Sequence, residues 1–283
     1  MSETQNKSAE KRITLRDVQR WAAGGEPFAM LTCYDATTAR WLWRGGVKTM
    51  LVGDTAAEVI LGYDSTLPVE MDFMVQITAA VRRGAPNALV MADMPFGSYQ
   101  AGDDVAIANA ARFLKEGMAD LVKLEVDASF APLVERMAHA GVPVVAHIGS
   151  RPQTVRAMGG YRAAGRTPAE ADALVDTAEQ MIGCGAAALL VEAVPDEVGR
   201  RIVERAVHPV TKQPVPVVGC GAGPGCHGHV VVLQDLVKLS DWQPPFVEST
   251  GELGAALRDA AAAWAQRVTG GKYLEGGGPY RMG

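Results

Sequence analysis

LVKLE, residues 121–125, is an apolar run interrupted by a lysine and closed by a glutamate. Side chains alternate along a strand, so Leu121, Lys123 and Glu125 fall on one face. Charges facing into an apolar interior need a partner or a ligand, because an isolated buried charge is costly. Four other runs end in the same manner: TMLVGD at Asp54, LVMAD at Asp93, VPVVAH at His147 and LLVE at Glu192. A (β/α)8 barrel carries its chemistry at the C-terminal ends of its strands, where such groups converge on one mouth.

The reading extends outward to eight strands, over 28–33, 49–53, 88–93, 121–126, 142–148, 187–193, 215–220 and 230–233. Their Val, Leu and Met content suits strands buried on both faces. Helical patterns lie between them at about 36–44, 71–83, 103–117, 130–140, 168–183 and 196–206, the alternation of a parallel sheet. Eight strands favour closure into a barrel, although VVVLQDLVKL around the last reads equally as helix. Thr14, with Asp17 three residues later, opens a helix over 15–23 that can plug the bottom of the barrel. Residues 1–12 read as a flexible tail and 13–283 as a single barrel domain. The alanine-rich stretch 251–268 predicts a helix that closes the barrel or packs on a neighbouring subunit.

The length of 283 residues is near that of one such barrel, roughly 250 residues. A net charge of -5 without a basic stripe argues against a nucleic-acid partner. No run is apolar for the ~18 residues of a membrane span. The N-terminus lacks the apolar core of a secretory signal. The four cysteines make no disulfide framework. These features predict a cytoplasmic protein acting on a small molecule.

Three acids at equivalent strand ends, Asp54, Asp93 and Glu125, suit Mg2+, which prefers hard oxygen ligands. Each alone reads equally as a helix or turn cap. Lys123 can hold a substrate carboxylate or phosphate, or pair with Glu125. His147 can bind an acid or move protons, or be a satisfied core histidine. An apolar setting raises a carboxylate's pKa, which makes Glu192 the candidate general base. Gly219–His229 is the most glycine-rich segment and follows strand seven, where barrels often bind phosphate. Its Cys226, His227 and His229 suit a transition metal, but such a dense local cluster is also what a flexible loop looks like.

TCYDATTA, MLVGDT, LGYDSTLPVEMD, ALVMADMPFGSYQ, VKLE, VPVVAHIGSRPQTVRAMGGYRAAGRT, LLVEAVP and VVGCGAG cover most of residues 28–223. In combination and order they resemble the ketopantoate hydroxymethyltransferase family. The resemblance implies a (β/α)8 barrel, usually decameric, that binds Mg2+ and a branched 2-oxo acid. The implied co-substrate is 5,10-methylenetetrahydrofolate. By position, Asp54 and Asp93 match metal and substrate ligands, and Glu125 a further metal acid. Lys123 matches a substrate-binding lysine and Glu192 the catalytic base; Thr55 and His147 are expected to bind substrate beside them. The implied reaction gives ketopantoate from 3-methyl-2-oxobutanoate through a Mg2+-stabilised enolate, in pantothenate synthesis.

Departures from the family pattern gather near the expected mouth. Thr55 replaces a usual Ser, Val126-Asp127 a Gly-Gly, Ser150-Arg151 a Leu-Thr, and His227-Gly228-His229 an Asp-Gly-Gln. They leave two alternatives: a Mg2+-dependent 2-oxo-acid enzyme of the phosphoenolpyruvate mutase and isocitrate lyase kind, and a silent barrel used in assembly.

Overall fold

The computed structural model describes residues 11–280, so most of the expected tail lies outside the described residues. Eight strands, β1 (Phe28–Thr32), β2 (Thr49–Val52), β3 (Leu89–Asp93), β4 (Leu121–Glu125), β5 (Val144–Gly149), β6 (Ala188–Glu192), β7 (Val217–Cys220) and β8 (Gly228–Val231), close into a barrel in sequence order. Every neighbouring pair is parallel, including β8 with β1.

The helices are α1 (Leu15–Gly24), α2 (Ala36–Arg44), α3 (Ala56–Val59), α4 (Met71–Gly84), α5 (Asp103–Lys115), α6 (Ala131–His139), α7 (Val155–Met158), α8 (Pro168–Gly183), α9 (Asp196–Arg205), α10 (Leu233–Leu236) and α11 (Leu253–Thr269). Local chemistry explains several starts. Asp35 Oδ1 accepts the backbone N–H groups of Thr37 and Thr38, each at 2.8 Å, and so caps α2. Thr167 and Glu170 form a reciprocal capping box before α8, with Pro168 opening its first turn. Thr14 N–H donates to Asp17 Oδ2 at 3.0 Å at the head of α1.

Strand periodicity divides the apolar residues into two layers. Val52, Val90, Leu124, Val144 and Val191 point outward against Met74, Phe113, Met137 and Met181 of the helices. Met30, Leu51, Leu89, Leu121, Leu190 and Val218 point inward, and Val18 of α1 packs with them. The first helix therefore does close the barrel's lower end. Burying this much apolar surface is the main stabilising contribution, roughly 1.5–3 kcal/mol for each large side chain.

The chain divides into two compact units at Val231–Val232. The barrel closes within the first. The second carries α10 and α11, and α11 buries none of its residues. The ambiguous VVVLQDLVKL resolves into both of its readings: β8 ends at Val231 and α10 follows at Leu233.

The connection between β7 and β8 departs from the βα repeat. It carries no helix, and residues 221–227 descend directly from the end of β7 to the start of β8. His227 Nδ1 accepts the N–H of Val217, the first residue of β7, at 3.1 Å. His227 thus lies at the lower end of the barrel, away from the mouth where sequence position suggested it. His229 is an exposed residue within β8.

Candidate active site

Register brings the strand-end groups side by side. Asp93 of β3 is opposite Lys123 of β4, Glu125 is opposite His147 of β5, and Gly149 is opposite Glu192 of β6. Asp54 and Thr55 follow β2. Asp54, Asp93, Lys123, Glu125 and His147 are all buried. Glu192 keeps 23% of its side chain accessible and so faces the opening. Gly149 allows this approach: its φ is +99°, and a Cβ there would sit 2.3 Å from the Glu192 carbonyl oxygen.

Close polar contacts run from one of these groups to the next. Lys123 Nζ lies 3.1 Å from Asp93 Oδ2 and 3.1 Å from His147 Nδ1. Asp54 N–H donates to the same Asp93 oxygen at 3.1 Å. An ammonium only donates, so His147 Nδ1 accepts and the neutral ring carries its proton on Nε2. That nitrogen lies 3.3 Å from Glu192 Oε2, close to it but without a hydrogen bond. Burial, and next the charge of Lys123, push the His147 pKa well below its usual range and keep the ring neutral.

The acids outnumber the single buried cation beside them. Burial raises Glu192 to about 7, against the pull of Lys123. It raises Asp93 to about 7 as well, opposed by Lys123 and reinforced by Asp54. Glu125 is pushed well above the carboxylate range by burial and then by Asp54. Burial alone would lower Lys123, but Asp93, Asp54 and Glu125 outweigh it and raise its pKa. Asp93 Oδ1 and Glu125 Oε1 are buried without a hydrogen-bond partner. Two such oxygens facing excess negative charge suit a hard divalent ion that keeps water or substrate oxygens in its shell. Among the described residues, no three His, Cys, Asp or Glu side chains form a ready-made cation cluster.

Thr55 is held by Tyr34, whose hydroxyl lies 2.7 Å from Thr55 Oγ1. Asp127 and Arg151 form an ion pair at 2.7 Å between the loops after β4 and β5. Asp127 Oδ1 also accepts the Ser129 N–H at 3.0 Å. The two charges expected to burden the mouth therefore neutralise each other.

Sequence reasoning missed Gln153, whose Nε2 donates to Asp54 Oδ2 at 2.8 Å and whose backbone N–H donates to Glu125 Oε2 at 2.9 Å. It also missed Tyr99, which donates to Gln153 Oε1 at 2.7 Å. Both lie within quoted motifs, but a neutral amide in a loop has no charge or period to single it out.

The sequence pattern of the family described as ketopantoate hydroxymethyltransferase matches residues 12–275. The 3-methyl-2-oxobutanoate hydroxymethyltransferase of Thermobifida fusca (strain YX) is 44% identical over 266 residues, covering 94% of this chain and 92% of that protein. The protein of the same name from Mycobacterium tuberculosis (strain ATCC 25618 / H37Rv) is 43% identical, covering 93% and 91%. In fold, the chain is similar to phosphoenolpyruvate phosphomutase from Streptomyces platensis subsp. rosaceus, with a TM-score of 0.62 at 12% identity, covering 92% of this chain and 89% of that one. It is also similar to phosphonopyruvate hydrolase in complex with oxalate and Mg2+, with a TM-score of 0.58 at 13% identity and coverages of 95% and 92%.

Proposed function

The chain belongs to the ketopantoate hydroxymethyltransferase family, and we propose that it moves a hydroxymethyl group from 5,10-methylenetetrahydrofolate to 3-methyl-2-oxobutanoate, giving ketopantoate. The observation that carries this reading is the buried chain from Asp93 through Lys123 and His147 to Glu192, ending on a base open to the mouth.

Glu192 takes the C3 proton of the 2-oxo acid. A carboxylate near 7 is ionised in a large fraction of molecules at neutral pH and is still basic enough to accept a proton. The neutral His147 ring lies 3.3 Å from Glu192 Oε2, and a small turn of either side chain would let its Nε2 proton donate to the ionised carboxylate. Lys123, charged at neutral pH, binds the substrate carboxylate. Thr55, held by Tyr34, offers a hydroxyl beside Asp54. Asp93 and Glu125, through their open oxygens, would hold Mg2+ together with Asp54. When bound, Mg2+ supplies a Lewis acid that draws negative charge onto the keto oxygen as the C3 proton leaves. The resulting carbon nucleophile adds to the formaldehyde-level one-carbon unit, whose activation is the carrier's own chemistry. One water supplies the hydroxyl oxygen, and both carbon–nitrogen bonds of the bridge break to release tetrahydrofolate.

No helix among the described residues is long and apolar enough to cross a membrane. The exposed Leu253, Leu257, Trp264 and Val268 of α11 support a homo-oligomer.

Deuterium exchange at C3 across a panel of 2-oxo acids, with Mg2+ and with or without tetrahydrofolate, tests the assignment. 3-Methyl-2-oxobutanoate is expected to exchange without the carrier and to depend on Mg2+. Its failure to exchange, alongside rapid exchange of another 2-oxo acid, would assign the protein to a different Mg2+-dependent reaction on the same barrel.

A further inference from the structure

Gln153 is 5% exposed and lies in the 3-10 turn Pro152–Thr154 after β5. Every polar position of its side-chain amide is occupied. Nε2 donates to Asp54 Oδ2 at 2.8 Å and to the Met94 carbonyl at 2.9 Å. Oε1 faces the Tyr99 hydroxyl at 2.7 Å and Gln100 Nε2 at 3.2 Å. Gln100 is oriented in turn, because its Oε1 accepts the Gly97 N–H at 2.8 Å. Reversing the Gln153 amide would set its oxygen against a carboxylate and a carbonyl, and its nitrogen against an amide donor. The donor direction is therefore fixed by the network, running from the loop after β3 through Gln153 to Asp54. The backbone N–H of the same residue donates to Glu125 Oε2 at 2.9 Å, while Glu125 Oε1 has no hydrogen-bond partner.

We propose that Gln153 is a positioning residue that selects which carboxylate oxygens of Asp54 and Glu125 are left for the divalent cation. It binds one oxygen of each acid and so fixes both side-chain rotations before the ion arrives. One residue thereby sets the relative geometry of the ends of β2 and β4. This inference rests on the metal reading of the site. Outer residues that orient metal ligands typically affect affinity by about 10–100-fold.

Calorimetric titration of Mg2+ into the full chain tests the proposal. Gln153→Met keeps the length and removes the amide, and Mg2+ binding is expected to weaken at least tenfold. At saturating Mg2+, the C3 exchange kcat should return to within about threefold of wild type, because Glu192 is not touched by the amide. Tyr99→Phe keeps the ring in place and serves if Gln153→Met does not fold; it removes the hydroxyl from Gln153 Oε1, at 2.7 Å, and from the Glu125 backbone carbonyl, at 3.0 Å. It loosens the amide from behind and is expected to weaken Mg2+ about threefold. In the double variant the losses should fall short of additive, since part of the Tyr99 effect passes through the same amide. Unchanged Mg2+ affinity in both single variants, or fully additive losses, would overturn the positioning role while leaving the metal site standing. A wild-type protein that takes up no Mg2+ would overturn the metal reading and this inference together.

Discussion

Two aspartates near opposite ends of the barrel have opposite surroundings. Asp120, just before β4 at the lower end, is paired with both Arg12 and Arg82 and also accepts the Val90 N–H at 2.8 Å. Asp93, at the end of β3, shares one lysine with neighbouring acids and keeps a buried oxygen without a partner. The lower end has two cations for one carboxylate; the upper has one ammonium among Asp54, Asp93, Glu125 and Glu192. Satisfied charge holds the fold together. At the upper end burial, joined at Asp93 and Glu125 by neighbouring acids, raises the pKa values of Asp93, Glu125 and Glu192, and the unpartnered oxygens await a ligand.

The largest expected effect tests the upper end. Glu192→Gln should bind Mg2+ and 2-oxo acid yet lose C3 exchange by at least ~10²-fold, the scale of a general base. Wild-type exchange in that variant would place the base elsewhere. The same substitution should flatten the pH dependence of stability. A carboxylate raised from 4.5 to about 7 binds more protons in the native state, so it lowers stability as pH rises through that interval. The fall in Tm between pH 5 and pH 8 should therefore be smaller in Glu192→Gln than in wild type.

At the lower end, Asp120→Ala takes the carboxylate from Arg82, which keeps only the carbonyls of Met118, Pro86 and Ala88, and should cost about 3 kcal/mol in urea unfolding. Exchange in the folded fraction should stay within about threefold of wild type. A matching collapse of Mg2+ affinity would mean that the two ends are not independent. Asp93→Ala and Asp54→Ala should instead weaken Mg2+ and 2-oxo-acid binding together, by about tenfold or more. Calorimetry showing both affinities unchanged would remove these acids from the metal site.

Exchange by the wild type should rise with pH until about 7 and then level, as Glu192 loses its proton. A profile falling over that range would require a protonated group in its place. The smallest effect belongs to the rim. Val126→Gly with Asp127→Gly removes the partner of Arg151 and should change the rate of transfer, while exchange stays within about threefold, under 1 kcal/mol of barrier. A larger loss of exchange would tie the rim to the proton step.

The strands were legible because burial on both faces leaves continuous apolar runs, and the acids because each closes such a run. Period two alone put Lys123 and Glu125 on one face. Partnership was not legible. Asp127 and Arg151 read as two added charges, yet they meet 24 positions apart and cancel. His227 follows β7 in sequence and so reads as a mouth residue. The helix-free connection carries it to the other end, a path that no local pattern encodes. Gln153 was invisible for a different reason: its role depends on which way a neutral amide points, and that is set by Tyr99 and Gln100 from another loop.

The plug that α1 makes with Val18 has a kinetic consequence. With that end closed, substrates and products share one doorway. Under the proposed function, the smaller acid, bound at Lys123 and the buried carboxylates, would enter before the bulkier carrier and leave after it. Traffic through the barrel would then be a queue, with turnover sensitive to whatever lingers at the door.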